Sequence, residues 1–218
     1  MTLQHLLALE MAFFLGGNSG PGRPAVLGVV VQAHRAHVNT SPVSEGTTVY
    51  DGDNFSTNAG GALRLRGEAA ALDLAEESQL LVRNTGNGAQ KIEAELIKGT
   101  LAFSTEHPAA VEIVAREARM RPVAETRTIA QVSVIGPKEL RIYARRGSLQ
   151  FSYRGESETV AEGKSYRVIL DPSEDDPKAN EAIKRGRPSK TFLFIIIGGE
   201  LGVLGYEIWK ELQSPDRP

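Results

Sequence analysis

The sequence predicts a mainly β protein: a sandwich or roll of short antiparallel strands, followed by one C-terminal apolar helix. Three observations carry that reading. Between residues 27 and 170, short runs alternate apolar and polar residues. This period of two marks strands with one face in a core and one in water. Gly or Pro punctuates nearly every gap between the runs, at the spacing of roughly 8–12 residues that sandwiches and barrels use. The longest apolar run lies outside this stretch, beginning at Thr191.

Composition sets the outer limits. The chain has 218 residues, with 25 Lys+Arg against 27 Asp+Glu and no cysteine. That length suits one domain with a core large enough to need no covalent staple. Without cysteine there are no disulfides, iron–sulfur clusters or thiolate zinc sites. A net charge of −2 argues against bulk electrostatic binding to nucleic acid.

The elements follow in order. Residues 1–22 hold the run Leu6-Leu7-Ala8-Leu9-Glu10-Met11-Ala12-Phe13-Phe14-Leu15 and then small residues, the outline of a degenerate export signal peptide. The competing reading is an amphipathic helix packed on the domain. The β domain spans 27–170. Its strands include Leu63-Arg64-Leu65-Arg66, Leu72-Asp73-Leu74, Val132-Ser133-Val134, Leu140-Arg141-Ile142-Tyr143, Leu149-Gln150-Phe151-Ser152-Tyr153 and Tyr166-Arg167-Val168-Ile169-Leu170. A charged linker follows over 171–190, acidic first and basic second, a composition that cannot pack a core. Residues 191–210 are expected to form a membrane-spanning helix, near the lower length limit of about 20 apolar residues. Phe192 and Ile196 supply apolar bulk, Trp209 an interfacial aromatic, and Glu200 a costly carboxylate near the middle. Gly198 and Gly202 form a small-xxx-small pair that lets two such helices dimerise.

Several motifs in the β region fall in the order seen in the FecR-type domain of bacterial envelope proteins. Leu27-Gly28-Val29-Val30 resembles the first strand of that family. Val43 to Asp53 is similar to its "G-x-x-L-x-x-G-D" turn, and Phe55-Ser56-Thr57 to its "I-x-T" step. Leu72 to Ser78 resembles the strand ending in "x-x-x-S", and Leu96-Ile97-Lys98-Gly99-Thr100-Leu101 the "L-x-x-G-x-L" strand. Ser148-Leu149-Gln150-Phe151 and Val160 to Tyr166 resemble the last hairpin. The resemblance implies a stand-alone envelope domain, β-rich and built for interaction. Family members that regulate sigma factors carry a helical cytoplasmic domain and a membrane helix first. The 26 residues ahead of Leu27 are too few for a sigma-binding domain, so that role is not expected here.

Candidate chemistry is sparse. Asp51-Gly52-Asp53-Asn54 invites calcium, but the context of an EF-hand is missing and a tight Asp-Gly turn is the simpler reading. His34 and His37 would share a helix face and bind a metal there; on a strand they face opposite sides. Gly86 and Gly88 belong to a hairpin loop and not to a phosphate-binding turn. Glu76-Glu77 reads as a solvated pair. Arg185-Gly186-Arg187-Pro188 matches the core of a minor-groove hook, yet it also stands where basic residues flank a membrane helix.

Together these readings predict an envelope protein on the periplasmic face of the inner membrane, single-pass, non-catalytic and free of cofactors. Its partners would be the membrane, a protein or glycan, and a second copy through Gly198 and Gly202, with no nucleic acid. The basic flank at Lys184, Arg185, Arg187 and Lys190 favours the opposite orientation under the positive-inside rule, which makes a cytoplasmic tail-anchored regulator the alternative. An enzyme acting on envelope polymers has no supporting motif.

Overall fold

A computed structural model of the chain describes residues 24–68, 70–86, 91–123, 127–172 and 191–197. Three long strands organise it: β1 (Val26–Val38), β4 (Asn54–Arg66) and β7 (Ile92–Thr105). Two of them, β4 and β7, change partners midway. β4 pairs β6 (Gln79–Asn84) through residues 54–56 and β5 (Ala71–Leu74) through residues 63–66. β7 pairs β6 and β8 (Val111–Ala115) through its first half, then β5 and β10 (Thr128–Gly136) through its second. β1 follows β4 along both halves, with its register broken between His34 and Ala36. The result is one sheet folded into two layers at a common corner.

The first layer continues from β8 through β9 (Ala118–Pro122) and β12 (Leu149–Tyr153) to its edge at β13 (Glu156–Val160). The second continues from β10 through β11 (Glu139–Arg146) and β14 (Lys164–Leu170) to its edge at β15 (Phe192–Ile197). Two short strands, β2 (Ser41–Pro42) and β3 (Thr48–Tyr50), pair the two ends of β1. The β7–β8 pairing is parallel; the other registers are antiparallel. Inner faces meet as one core with Phe55, Leu80, Leu96, Ile113, Leu140 and Phe151 fully buried. Phe151 of the first layer meets Phe192 and Phe194 of the second edge-on, at 4.9 and 5.0 Å between ring centroids. This geometry adds about 0.5–1.5 kcal/mol per pair beyond area burial.

The corner explains several motif residues at once. Gly99 has φ +83°, and a Cβ there would fall 2.1 Å from Ser78 Oγ, so only glycine lets β7 turn against Ser78. Ser78 is fully buried; its hydroxyl accepts from Thr100 N at 2.9 Å and donates to Glu76 O at 2.9 Å. Thr57 Oγ1 accepts from Ser78 N at 3.0 Å and donates to Ala75 O at 2.5 Å. Thr57, Ser78 and Gly99 come from three separate motifs of the sequence, and here they form one buried polar joint. A buried hydroxyl without such partners would be costly. The motifs therefore encode the fold of the sheet.

One expectation needs correction. The C-terminal helix does not begin at residue 191: Phe192–Ile197 is strand β15, paired with β14 from Ser165↔Ile197 to Leu170↔Phe192. Phe192 is 4 % exposed and packs on Phe151, so it is core and not a lipid-facing residue. Ile196, also assigned to the anchor, is a strand residue on this edge and 64 % exposed. Gly198, Glu200, Gly202 and Trp209, like the linker residues 173–190 and residues 1–22, lie outside the described residues. Among the described residues no helix is long and apolar enough to cross a membrane.

Candidate functional site

Three hairpin tips and the end of β14 converge at one end of the sandwich. The β8–β9 tip is Arg116-Glu117, because Ala115 pairs Ala118. The β10–β11 tip is Pro137-Lys138, between Gly136 and Glu139. The β12–β13 tip is Arg154-Gly155, between Tyr153 and Glu156. Strands β9 and β12 are neighbours, which sets the first and third tips side by side. Leu170 N donates to Lys138 O at 2.8 Å, which ties the end of β14 to the second tip. Between them lies a groove of about 420 Å³, floored by Leu96, Ile97 and Leu170 and rimmed by the tips with Glu95 and Asp171.

The backbone around this groove is unusual. Arg116, Glu117, Arg154 and Asp171 all have positive φ, at 50°, 66°, 47° and 45°. The β8–β9 tip has two such residues in succession, the two-residue turn that normally calls for Asn-Gly. A non-glycine residue in this region costs about 1–2 kcal/mol. Such positions persist where surrounding structure over-determines them, and they cluster at binding sites.

Asp171 organises the charge. Its Oδ2 accepts from the Tyr153 hydroxyl at 2.9 Å and its Oδ1 from Arg154 Nη1 at 2.7 Å. The Arg154 guanidinium also lies 5.1 Å from the centroid of the Tyr153 ring, a cation–π contact. Burial, and then the hydrogen bond to Asp171, push the Tyr153 hydroxyl above its ordinary range. It therefore stays a protonated donor at neutral pH. Glu95 is held by Arg83 at 3.0 Å. Two cations on the rim, Arg116 and Lys138, have no acid within ion-pair distance among the described residues. The groove thus offers an apolar floor, a fixed Tyr–Asp–Arg cluster and two unpaired cations. That set suits binding of a polar segment that carries an anionic group.

The residues singled out from sequence have structural roles instead. Asp53 Oδ2 accepts from Tyr50 N and Asp51 Oδ1 from Asn84 N, both at 2.8 Å. Asp51-Gly52-Asp53 is the expected turn, its carboxylates occupied by backbone. His34 pairs Ala62 in the second layer and His37 pairs Ser56 in the first, on either side of the corner. Glu76 accepts from Gly60 N at 2.6 Å and pins β4 at the bend. Thr85 N donates to Lys91 O at 2.9 Å, closing the expected hairpin around Gly86; Gly88 lies outside the described residues, as does Arg185-Gly186-Arg187-Pro188. The groove residues were missed because turn residues carry no motif. Two tips had a signal, as the turn residues Gly136-Pro137 and Gly155 in the gaps between strands.

No family model matches the sequence, and no curated protein matches it. Among solved structures the chain is similar to two crystal structures of a protein from Parabacteroides distasonis described as a "putative anti-sigma factor". The TM-scores are 0.45 and 0.46, each with 13% sequence identity over 61% of this chain. The chain spans 65% and 64% of the length of those two structures.

Proposed function

We propose that this chain is a non-catalytic binding domain of the bacterial envelope, facing the periplasm, which engages a protein or glycan partner through the hairpin-tip groove. The observation that carries the reading is the groove itself: four strained non-glycine positions and two unpaired cations arranged over one apolar floor. The polar cluster there is built to hold and orient. The Tyr153 hydroxyl and the Arg154 guanidinium are both committed to Asp171. The envelope setting is supported by the FecR-type motifs and by the apolar run ahead of the β domain.

A photoreactive side chain placed at Lys138 in the full chain, in intact cells, tests the reading. It should give a discrete covalent adduct that disappears with Arg116→Glu. The same probe at Gln150, on the outer face of the first layer, should give none. Identical adducts from both positions would defeat the groove assignment. A β domain shielded from added protease in cells with a permeabilised outer membrane would defeat the periplasmic one.

A further inference from the structure

The floor of the hairpin-tip groove is a stretch of strand that no neighbour completes. Along one side of β7, β6 pairs it between residues 92 and 98 and β5 pairs it over residues 101–104. Along the other side β8 pairs Ile92 to Glu95, and β10 pairs Gly99 to Thr105. Leu96, Ile97 and Lys98 fall in the gap, where β8 and β10 part into the two layers. The ladder to β6 breaks at the same point. Lys98 pairs Gln79 and Leu96 pairs Leu80, so Ile97 has no register partner on either side among the described residues. A bulge of this kind interrupts backbone pairing and re-aims a side chain. Leu96 and Ile97 are the residues of β7 that floor the groove. An unpaired strand edge of this kind is a template for another extended chain.

We infer that the groove takes an extended acidic peptide segment, which pairs with Leu96–Lys98 as a short added strand and sets carboxylates between Arg116 and Lys138. This deepens the proposed binding role and rests on it. Backbone is the first argument. A segment laid in the gap continues the ladders that β8 leaves at Glu95 and β10 leaves at Gly99, the mode by which sheet edges take up peptides. Size is the second. Three strand residues span about 10 Å, and the volume of about 420 Å³ is that of a ligand cleft. Charge is the third. Arg116 and Lys138 are exposed on tips of opposite layers. Of the rim acids, Glu95 is held by Arg83, and Asp171 by Tyr153 and Arg154. That leaves Glu117 alone against two cations, so the uncommitted charge is positive. Acids at every second position of a strand share one face and so reach the rim together. A glycan fits less well. Sugars stack on open aromatic faces, and the aromatic lining residue, Tyr153, already has Arg154 over its ring, 5.1 Å from the centroid.

The test uses the full chain and two end-capped hexapeptides, one alternating Val and Glu, the other Val and Lys. The Val-Glu peptide should bind. Arg116→Glu combined with Lys138→Glu should weaken it by about tenfold or more and strengthen the Val-Lys peptide by a similar factor. That gain also shows that the double variant is folded. Methylating the backbone nitrogens of the Val-Glu peptide keeps its charges but removes its amide donors, and should weaken binding by about tenfold. Amide exchange within Leu96–Lys98 should slow about tenfold at saturation. Equal binding of the two peptides, indifference to methylation, unchanged exchange, or no binding of the Val-Glu peptide at millimolar concentration would each overturn the inference. So would an acidic oligosaccharide, tetragalacturonate, that binds in its place and is lost with the same double substitution. The Lys138 photoprobe in cells reads the groove separately: a discrete adduct there without peptide binding rejects the acidic peptide and leaves the binding role standing.

Discussion

Both layers of the sandwich pair Arg with carboxylates on their outer faces, and the two sets differ in water. On the first layer Arg83 bridges Glu93 and Glu95, Arg119 joins Glu93 to Glu112, and Arg121 adds a second bond to Glu112. These arginine side chains are about half exposed, at 46–54 %. Burial works to raise the Glu112 carboxyl, but Arg121 and then Arg119 outweigh it and hold it below the ordinary range. On the second layer Arg64 meets Asp73 at 2.5 Å, with side chains 14 % and 6 % exposed. There burial wins, and the Asp73 carboxyl is pushed up to about 6 despite Arg64. The same kind of pair thus shifts in opposite directions. Glu112 has two donors and a hydrated rim, whereas Asp73 has one donor and lost water on both sides of the pair. Desolvation exceeds the Coulomb gain when a buried pair is under-coordinated.

That contrast can be broken at the joint between the layers. Gly99→Val should be the most damaging change. It combines the left-handed backbone cost of about 1–2 kcal/mol with overlap against Ser78 worth about 1–3 kcal/mol. Chemical denaturation should show a loss of about 4 kcal/mol or no folded protein at all. A loss under about 1 kcal/mol would mean that β7 does not turn there.

Next comes the buried pair. Arg64→Met leaves Asp73 buried without its cation and should cost about 3 kcal/mol at pH 7. The cost should shrink at pH 5, where Asp73 takes up a proton. Equal losses at both pH values would contradict the burial of this pair.

The pH dependence of Asp73 itself has a definite sign. Its folded pKa, about 6, lies above the ordinary 3.8. Its contribution to stability is therefore full below about pH 4 and is lost as pH rises through 6. Asp73→Asn should gain on the unmodified protein across that window, by on the order of 2–3 kcal/mol. Parallel melting curves from pH 4 to 7 would show that the carboxyl is solvated.

The smallest effect is expected on the open layer. Arg121→Met leaves Glu112 with Arg119, and a half-exposed pair contributes about 0.5 kcal/mol. Thermal melts should differ by a degree or two at low salt and converge at high salt. A loss as large as that of Arg64→Met would erase the distinction between the two faces.

Much of the first-order architecture was readable from residues alone. Alternation at Leu63 to Arg66, Leu140 to Tyr143 and Leu149 to Tyr153 located β4, β11 and β12, because each has one face in the core and one outward. The run Phe192 to Ile197 defeated the same rule. Phe192 is buried against Phe151 on one face, and Leu193 is 6 % exposed on the other. A strand covered on both sides loses its alternation and reads as a continuous apolar run, which length and hydropathy alone assign to a membrane. The bends in β1, β4 and β7 were equally hidden. Gly60, Gly61 and Gly99 looked like turn glycines, whereas they let long strands pass from one layer to the other.

The sequence by itself determined many of the strands between residues 27 and 170, most of the hairpin turns between them and several of the motif residues that are special. These are local properties, set by side-chain period and by the backbone freedom of glycine. It could not determine what Thr57, Ser78 and Gly99 are special for, because their meeting depends on strands far apart in the chain. The same holds for the groove, where Arg116, Lys138, Arg154 and Asp171 come together from three hairpins and the end of β14. Only the tertiary structure decided these points, because strand register and layer closure bring residues into contact irrespective of their separation along the chain.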